Sequence, residues 1–118
     1  MEEIRLCIHP FKMGTEKEAA LKPLEEAAET FAAWQNWKPF DSEPVSSSEL
    51  NRHSVLLWVK QKKIRHKMLA DEIADCIQAC ANLAARYDID LGAAMERCEE
   101  RNRDRGRYPL RGEHERGE

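Results

Sequence analysis

Carboxylate side chains recur at helical spacing in two segments of this 118-residue chain. The first segment is Glu25-Glu26-Ala27-Ala28-Glu29, and the second is Glu72-Ile73-Ala74-Asp75. Residues three or four apart project from one side of an α-helix, so two such helices facing each other would gather four or five carboxylates. Like charges at this density repel and hold together only with protons or cations. A hard cation that prefers oxygen ligands, Mg²⁺ or Mn²⁺, fits this chemistry.

The second motif is the more specific indication of a functional site. On a helical wheel of about 100° per residue, Glu72 falls inside an apolar stripe and Asp75 falls at its edge. Burying an unpaired carboxylate costs several kcal/mol, so a partner is required. A buried salt bridge to a lysine or arginine and a bound metal ion both satisfy that requirement. The first motif is weaker alone, because glutamates are common on solvated helix faces, and the wheel does not decide which of its glutamates faces outward.

Local signals predict an all-α protein, a bundle of about four helices. Thr15 and Glu18 match a capping box, so a helix is expected to begin there. Pro23 would kink that helix or open a second segment. Good helix formers continue to about Trp37, with apolar residues on one face. These apolar residues are Leu21, Leu24, Ala28 and Phe31.

The rest of the chain divides at prolines and glycines. Residues 38–48 are rich in proline and serine and predict a loop, closed by a Ser46–Glu49 capping box. Residues 49–86 contain neither glycine nor proline and predict one long helix, or two with a break near 60–67. A last helix is expected over about 90–105 with Gly106 as its stop signal. Residues 1–108 would form one domain, and 109–118 a flexible tail.

Composition excludes several classes of protein. The net charge of −3 argues against a general nucleic-acid binder, and no apolar run approaches the roughly 20 residues of a membrane helix. The acidic N-terminus does not resemble a signal peptide, so a cytoplasmic location is expected. The four cysteines show no zinc-binding spacing, and Cys76 and Cys80 read as reduced core residues.

Tryptophans and arginines supply further candidates for binding. Trp34 and Trp37 follow the first acidic motif by one to two turns, where stacking on a nucleobase competes with the commoner role of anchoring a core or interface. The run from Glu99 to Tyr108 is rich in arginine, which matches phosphate oxygens in a bidentate way. It also suits the negative end of a helix dipole, and its interleaved acids argue against an RNA- or DNA-binding patch.

Taken together, these residues resemble the MazG-like all-α nucleoside triphosphate pyrophosphohydrolases. That superfamily carries E-E-x-x-E on one helix and E-x-x-D on a later one, followed by an asparagine and basic residues. Here Glu25-Glu26-x-x-Glu29, Glu72-x-x-Asp75, and Asn102 with Arg105 match that order. The resemblance covers about residues 21–108 and is nearest to small phage-associated members. The spacer of 42 residues between the acidic motifs is longer than usual, and arginines stand where a lysine is common.

The resemblance implies a Mg²⁺-dependent enzyme, with Mn²⁺ as a possible substitute, that cleaves a nucleoside triphosphate to the monophosphate and pyrophosphate. Glu26, Glu29, Glu72 and Asp75 would hold the metal, and Glu25 or Glu29 would act on the attacking water. Asn102 and Arg105 would contact phosphates, and Trp34 or Trp37 would stack on the base. A homodimer or tetramer with composite sites is expected, with no membrane partner.

Alternative functions remain open from the sequence. A phosphoribosyl-ATP-type pyrophosphohydrolase would use the same carboxylates on a special substrate. A non-catalytic helical adaptor would keep the fold and use the carboxylates in salt bridges. A nucleic-acid-binding protein would use residues 97–111 and would bind in a strongly salt-sensitive way.

Overall fold

A computed structural model describes residues 2–42 and 52–109 of the chain. These residues form three α-helices and one short 3₁₀ helix, and no strand occurs among them. The elements are α1 (Glu16–Trp37), η1 (Lys38–Phe40), α2 (Arg52–Arg86) and α3 (Leu91–Asp104). The all-α prediction is therefore confirmed, with three α-helices in the described residues instead of about four. The predicted Ser46–Glu49 capping box and most of the predicted tail lie outside the described residues.

Helix α1 begins where the capping box predicts. The Thr15 side chain accepts a hydrogen bond from the Glu18 backbone N–H at 3.2 Å, and the Glu18 carboxylate accepts one from the Thr15 N–H at 3.3 Å. Pro23 lies inside a continuous helix, so it neither ends α1 nor opens a second one. It lacks the N–H that would bond the carbonyl four residues earlier, and α1 continues because its other backbone groups still pair.

Helices α1 and α2 form an antiparallel pair. Helix α2 runs unbroken over 35 residues, so of the two arrangements left open by the sequence the single long helix is observed, without a break near 60–67. Side chains on α2 reach backbone oxygens on α1 in reversed order along the chain. Arg65 donates a hydrogen bond to the Asn36 carbonyl oxygen at 3.1 Å. The Cys76 sulfur lies 3.9 Å from the Pro23 carbonyl oxygen.

The buried face of α1 differs from the apolar stripe seen in the sequence. Glu26 and Ala33 are buried against α2. Leu24 and Phe31 point away from α2 and are 69% and 58% exposed. An acidic and small-residue face therefore packs inside the helix pair, and the larger apolar residues of α1 remain at the surface.

An aromatic cluster secures the end of α1 and η1 on the first half of α2. The rings of Phe40 and Trp58 lie 4.7 Å apart, and those of Trp37 and His66 lie 5.7 Å apart. The Arg65 guanidinium stacks 4.8 Å above the Phe40 ring, a favourable cation–π geometry. These contacts hold the end of α1 and η1 in place on α2.

Helix α3 starts and stops at the predicted residues. The Asp90 carboxylate accepts a hydrogen bond from the Ala93 N–H at 3.0 Å and caps the helix. After the helix, Gly106 has a φ of 67°, which suits a residue without Cβ. Helix α3 contacts α2 at a few positions and makes no close backbone approach to α1.

The residues before α1 form an extended segment, which we call the arm (residues 2–14). Three α2 side chains, one helical turn apart, bind its backbone. Gln78 donates to the His9 carbonyl oxygen at 3.2 Å, Asn82 accepts from the Phe11 N–H at 2.9 Å, and Arg86 donates to the Gly14 carbonyl oxygen at 3.3 Å. The arm therefore lies along the end of α2 that also faces the start of α1.

The protomer has a small core of small side chains. The buried apolar residues are Ala33, Ala79, Ala81 and Ala84. No large side chain among the described residues is fully buried. Likewise, no described helix combines the length and the apolar character needed to cross a membrane.

Candidate metal centre

Three carboxylates from the two acidic motifs converge between α1 and α2. Glu26 and Glu29 come from α1, and Glu72 comes from α2. One oxygen from each lies within 4.8 Å of the others. Two motifs that are separated by 42 residues of sequence thus bring the predicted carboxylates to one place. Oxygens at this separation suit a hard divalent cation, which binds carboxylates at roughly 2.0–2.6 Å.

Only part of this negative charge is compensated by the described residues. The Lys22 ammonium lies 3.2 Å from Glu26 and 3.6 Å from Glu25. Glu26 is only 7% exposed, and its second oxygen has no hydrogen-bond partner among the described residues. One oxygen of half-buried Glu72 lacks a partner in the same way. Buried carboxylate oxygens without partners are costly, so the site suits an added cation.

The closeness of these charged groups raises the pKa values of Glu29 and Lys22. The Glu26 carboxylate raises the pKa of Glu29, because it can accept a hydrogen bond from the protonated form of Glu29 and repels the charged form, with burial and Glu72 adding to the shift. The same Glu26 carboxylate raises the pKa of Lys22, which stays protonated. Glu29 therefore holds a proton up to a higher pH than an ordinary surface glutamate does. A bound cation would displace that proton.

Thr30 joins the two helices beside the carboxylates. Its hydroxyl oxygen lies 2.8 Å from the Glu26 carbonyl oxygen and 3.1 Å from the Glu72 carbonyl oxygen. The hydroxyl thus bridges the backbones of two of the three clustered residues. It fixes the register of α1 against α2 at the point where the carboxylates must meet.

Two predicted site residues lie near this cluster but outside it. Asp75 is on α2, one turn after Glu72, and is exposed. Glu25 is exposed and its nearest charged contact is Lys22. The cluster of oxygens within 4.8 Å contains neither of them. Their roles as a metal ligand and as a base remain predictions.

Among the described residues, the predicted phosphate and base contacts lie outside the carboxylate cluster. Asn102 and Arg105 lie at the far end of α3, which makes no close backbone approach to α1. Trp34 is 41% exposed, and its ring stacks on that of Phe31 with the centroids 5.6 Å apart. Trp37 packs on His66 near the end of α1. None of these four residues belongs to the carboxylate cluster.

None of the four cysteines belongs to the carboxylate cluster. All four are free thiols, which agrees with the expectation of reduced cysteines. Cys76 is half-buried, and burial raises the pKa of its thiol, with Cys80 and Glu26 adding to the shift. A thiol with a raised pKa is a poor nucleophile and a poor metal ligand at neutral pH. Cys80 is exposed, so the expectation that both are core residues holds only in part.

Sequence reasoning missed two residues of this site. Lys22 precedes Glu26 by four residues, a spacing that favours ion pairs on a helix, so the signal was present. Thr30 follows Glu26 by four residues, where a threonine hydroxyl commonly bonds the carbonyl of the preceding turn. Nothing in the sequence indicates that the same hydroxyl also reaches α2.

Comparison of the chain with protein-family models, with curated proteins and with solved structures finds no match in any of the three.

Proposed function

We propose that this protein is a Mg²⁺-dependent nucleotide pyrophosphohydrolase that cleaves a nucleoside triphosphate to the monophosphate and pyrophosphate. The observation that carries the proposal is the convergence of Glu26, Glu29 and Glu72, with unpartnered oxygens on two of them. The resemblance of both acidic motifs to those of MazG-like enzymes gives the proposal its reaction. Salt bridges alone explain the cluster less well, because the described residues offer it one cation, Lys22.

The proposed reaction assigns work to particular side chains. Glu26, Glu29 and Glu72 would hold Mg²⁺, with Asp75 as a further ligand at the mouth of the site. When bound, Mg²⁺ supplies neutralisation of the phosphate oxygens and a more acidic water. Glu25 is exposed beside the cluster and would accept the proton of the attacking water. Water adds to the α-phosphorus, the bond from that phosphorus to the bridging oxygen breaks, and pyrophosphate leaves with the bond's electrons.

A homo-oligomer completes the proposed site. Asn102 and Arg105 lie at the end of α3, which makes no close backbone approach to α1, so they would reach a substrate's phosphates from a second copy. A composite site of this kind agrees with the apolar face of α1, where Leu24 and Phe31 are exposed in the described part of the chain.

The test is an assay of pyrophosphate release with a panel of ribo- and deoxyribonucleoside triphosphates, in Mg²⁺ or in EDTA. We expect metal-dependent release of pyrophosphate and monophosphate, and a loss of at least about 100-fold in Glu72→Gln, since a ligand that aligns the reaction is removed. Glu96→Gln, an exposed glutamate on α3, is the matched control and should retain activity. A folded protein that turns over no nucleotide in Mg²⁺ or Mn²⁺ would contradict the proposal.

A second candidate is a non-catalytic helical adaptor. The observation that favours it is the large number of exposed apolar side chains, including Ile73 and Ile77 on α2, which suit a protein partner. Metal binding separates the candidates. An adaptor built on salt bridges would gain no thermal stability from millimolar Mg²⁺, whereas the enzyme would be stabilised by binding to its native state.

A further inference from the structure

A cleft adjoins the carboxylate cluster on the side of the arm. Its volume is about 140 Å³, and it lies between the arm, the first turns of α1 and the last turns of α2. Lys12, Lys22 and Arg86 line it, together with Phe11 and Asn82. Lys22 is shared with the cluster, since its ammonium lies 3.2 Å from Glu26. The Lys22–Glu26 ion pair therefore connects the cleft to the candidate metal ligands.

The cationic groups of this cleft are only partly neutralised. Two acids, Glu18 and Glu25, also line it. Glu18 accepts the hydrogen bond of the capping box, and Glu25 pairs with Lys22. Lys12 and Arg86 form no ion pair with any described residue, and Arg86 uses one guanidinium nitrogen on the Gly14 carbonyl oxygen. Arginine carries five N–H donors, so most of its donors remain free for a ligand.

Asn82 adds a fixed neutral donor to the cleft wall. Its side-chain oxygen accepts hydrogen bonds from the Phe11 N–H at 2.9 Å and from the Gln78 side-chain amide at 2.8 Å. These two hydrogen bonds identify the oxygen and the nitrogen of the Asn82 side-chain amide. The NH₂ group of Asn82 then has no acceptor among the described residues. A donor oriented by two neighbours and left unpaired is ready for an acceptor on a ligand.

We propose that this cleft binds the pyrophosphate end of the substrate, and this rests on the proposed hydrolase function. Free lysine and arginine donors with a fixed amide donor match the chemistry of phosphate oxygens. A triphosphate whose α-phosphate lies at the carboxylate cluster would direct its β- and γ-phosphates past Lys22 into the cleft. Lys12 and Arg86 would then hold the leaving pyrophosphate.

The experiment titrates inorganic pyrophosphate into the full chain by calorimetry, in buffer with Mg²⁺. Lys12→Ala should weaken binding about tenfold, the value of one charge-assisted hydrogen bond. Lys12 has no partner among the described residues, so this change leaves the fold intact. Lys17→Ala removes the same charge from an exposed α1 position outside the cleft and should bind pyrophosphate like wild type.

Asn82→Asp provides an independent variant. Its carboxylate still accepts the bonds from Phe11 and Gln78, so the arm stays in place, but an oxygen replaces the free NH₂ group. Repulsion should reduce pyrophosphate affinity by at least about tenfold. Thermal melting of each variant checks the fold, and nucleotide turnover is measured on the same samples.

The outcomes separate the two proposals. Turnover of nucleotide with wild-type pyrophosphate affinity in Lys12→Ala and Asn82→Asp would overturn the cleft assignment and leave the hydrolase. Pyrophosphate binding that depends on Lys12, in a protein that hydrolyses no triphosphate, would overturn the hydrolase and leave the cleft as a polyphosphate site. Undetectable pyrophosphate binding to wild type would overturn the cleft assignment directly.

Discussion

The Glu29 carboxyl makes the metal-free protein sensitive to pH. Its pKa in the folded state lies above the ordinary value of 4.5, first because Glu26 shares a hydrogen bond with it and repels its charged form. The folded protein therefore holds a proton that the unfolded chain releases. By linkage, the free energy of unfolding falls as the pH rises from about 4.5 through the folded pKa. Urea unfolding in EDTA should show lower stability near neutral pH than in mild acid.

A matched pair of variants tests whether Glu29 causes this change of the free energy of unfolding with pH. Glu29→Gln carries no charge at any pH and should flatten the dependence, raising the stability of the metal-free protein at neutral pH. The exposed Glu96→Gln change should leave the slope as it is. Saturating Mg²⁺ should reverse the trend in wild type, because cation binding releases the shared proton. A wild-type stability that rises across this window in EDTA would contradict the assignment.

At the scale of elements, the hydroxyl of Thr30 connects α1 to α2. Thr30→Val keeps the shape of the side chain and removes the hydroxyl that lies near the carbonyl oxygens of Glu26 and Glu72. We expect a loss of about 1 kcal/mol in the free energy of unfolding, the usual value of a hydrogen bond. We also expect weaker Mg²⁺ binding, since the register of the two helices sets the carboxylate geometry. Chemical denaturation and metal titration by calorimetry measure the two effects.

Thr30→Ser is the control for that change. It keeps the hydroxyl and removes one methyl group, so metal affinity should stay close to wild type. Equal loss of metal affinity in the serine and valine variants would show that packing of the methyl group, and not the bridge, positions the carboxylates.

The ends of the helices follow from local chemistry, and the sequence predicts them well. The box formed by Thr15 and Glu18 sets the start of α1, and Asp90 and Gly106 bound α3, because a cap depends on residues within one turn. The long α2 follows from the absence of glycine and proline. The proximity of Glu26 and Glu72 was predicted from the acidic motifs, because carboxylates on two facing helices need a shared cation or proton to stay together.

Other features depend on contacts between residues that are far apart in sequence, and no local pattern predicts them. The arm binds α2 across about 70 residues of sequence through Gln78, Asn82 and Arg86, none of which belongs to a recognisable motif. The orientation of α1 is a second case. Periodicity finds the apolar stripe that contains Leu24 and Phe31, but it does not reveal that this stripe faces away from α2.

At the scale of the whole molecule, the protomer is extended. Its Cα radius of gyration is 19.1 Å, whereas a compact chain of this length has about 13.5 Å. Its accessible surface is 10110 Å², against about 6,600 Å² for a folded monomer of this mass. The difference exceeds what an obligate dimer interface buries on each subunit. A single copy therefore has more surface than a stable monomer would keep exposed.

We accordingly expect a homo-oligomer in solution, with the stripe on α1 in its interface. Leu24→Glu places a charge in that stripe and should shift the protein toward monomer, and activity should fall with it if the site is composite. Leu24→Met keeps the apolar surface and is the control. Sedimentation equilibrium over a range of concentrations measures the change. A wild-type protein that is monomeric at micromolar concentration would contradict the expectation.

The way α2 holds the arm has a consequence for how this protein can change over evolutionary time. The hydrogen bonds from Gln78, Asn82 and Arg86 to the arm reach only its main-chain atoms, so most arm side chains can vary while the arm stays bound to α2. The constraints are few: position 11 must keep its N–H, which excludes proline, and Gly14 adopts a φ of 65° with Glu18 too close for a Cβ. New ligand preferences can therefore arise at positions 11–13 with little loss of stability, and a library randomised there should yield mostly folded members.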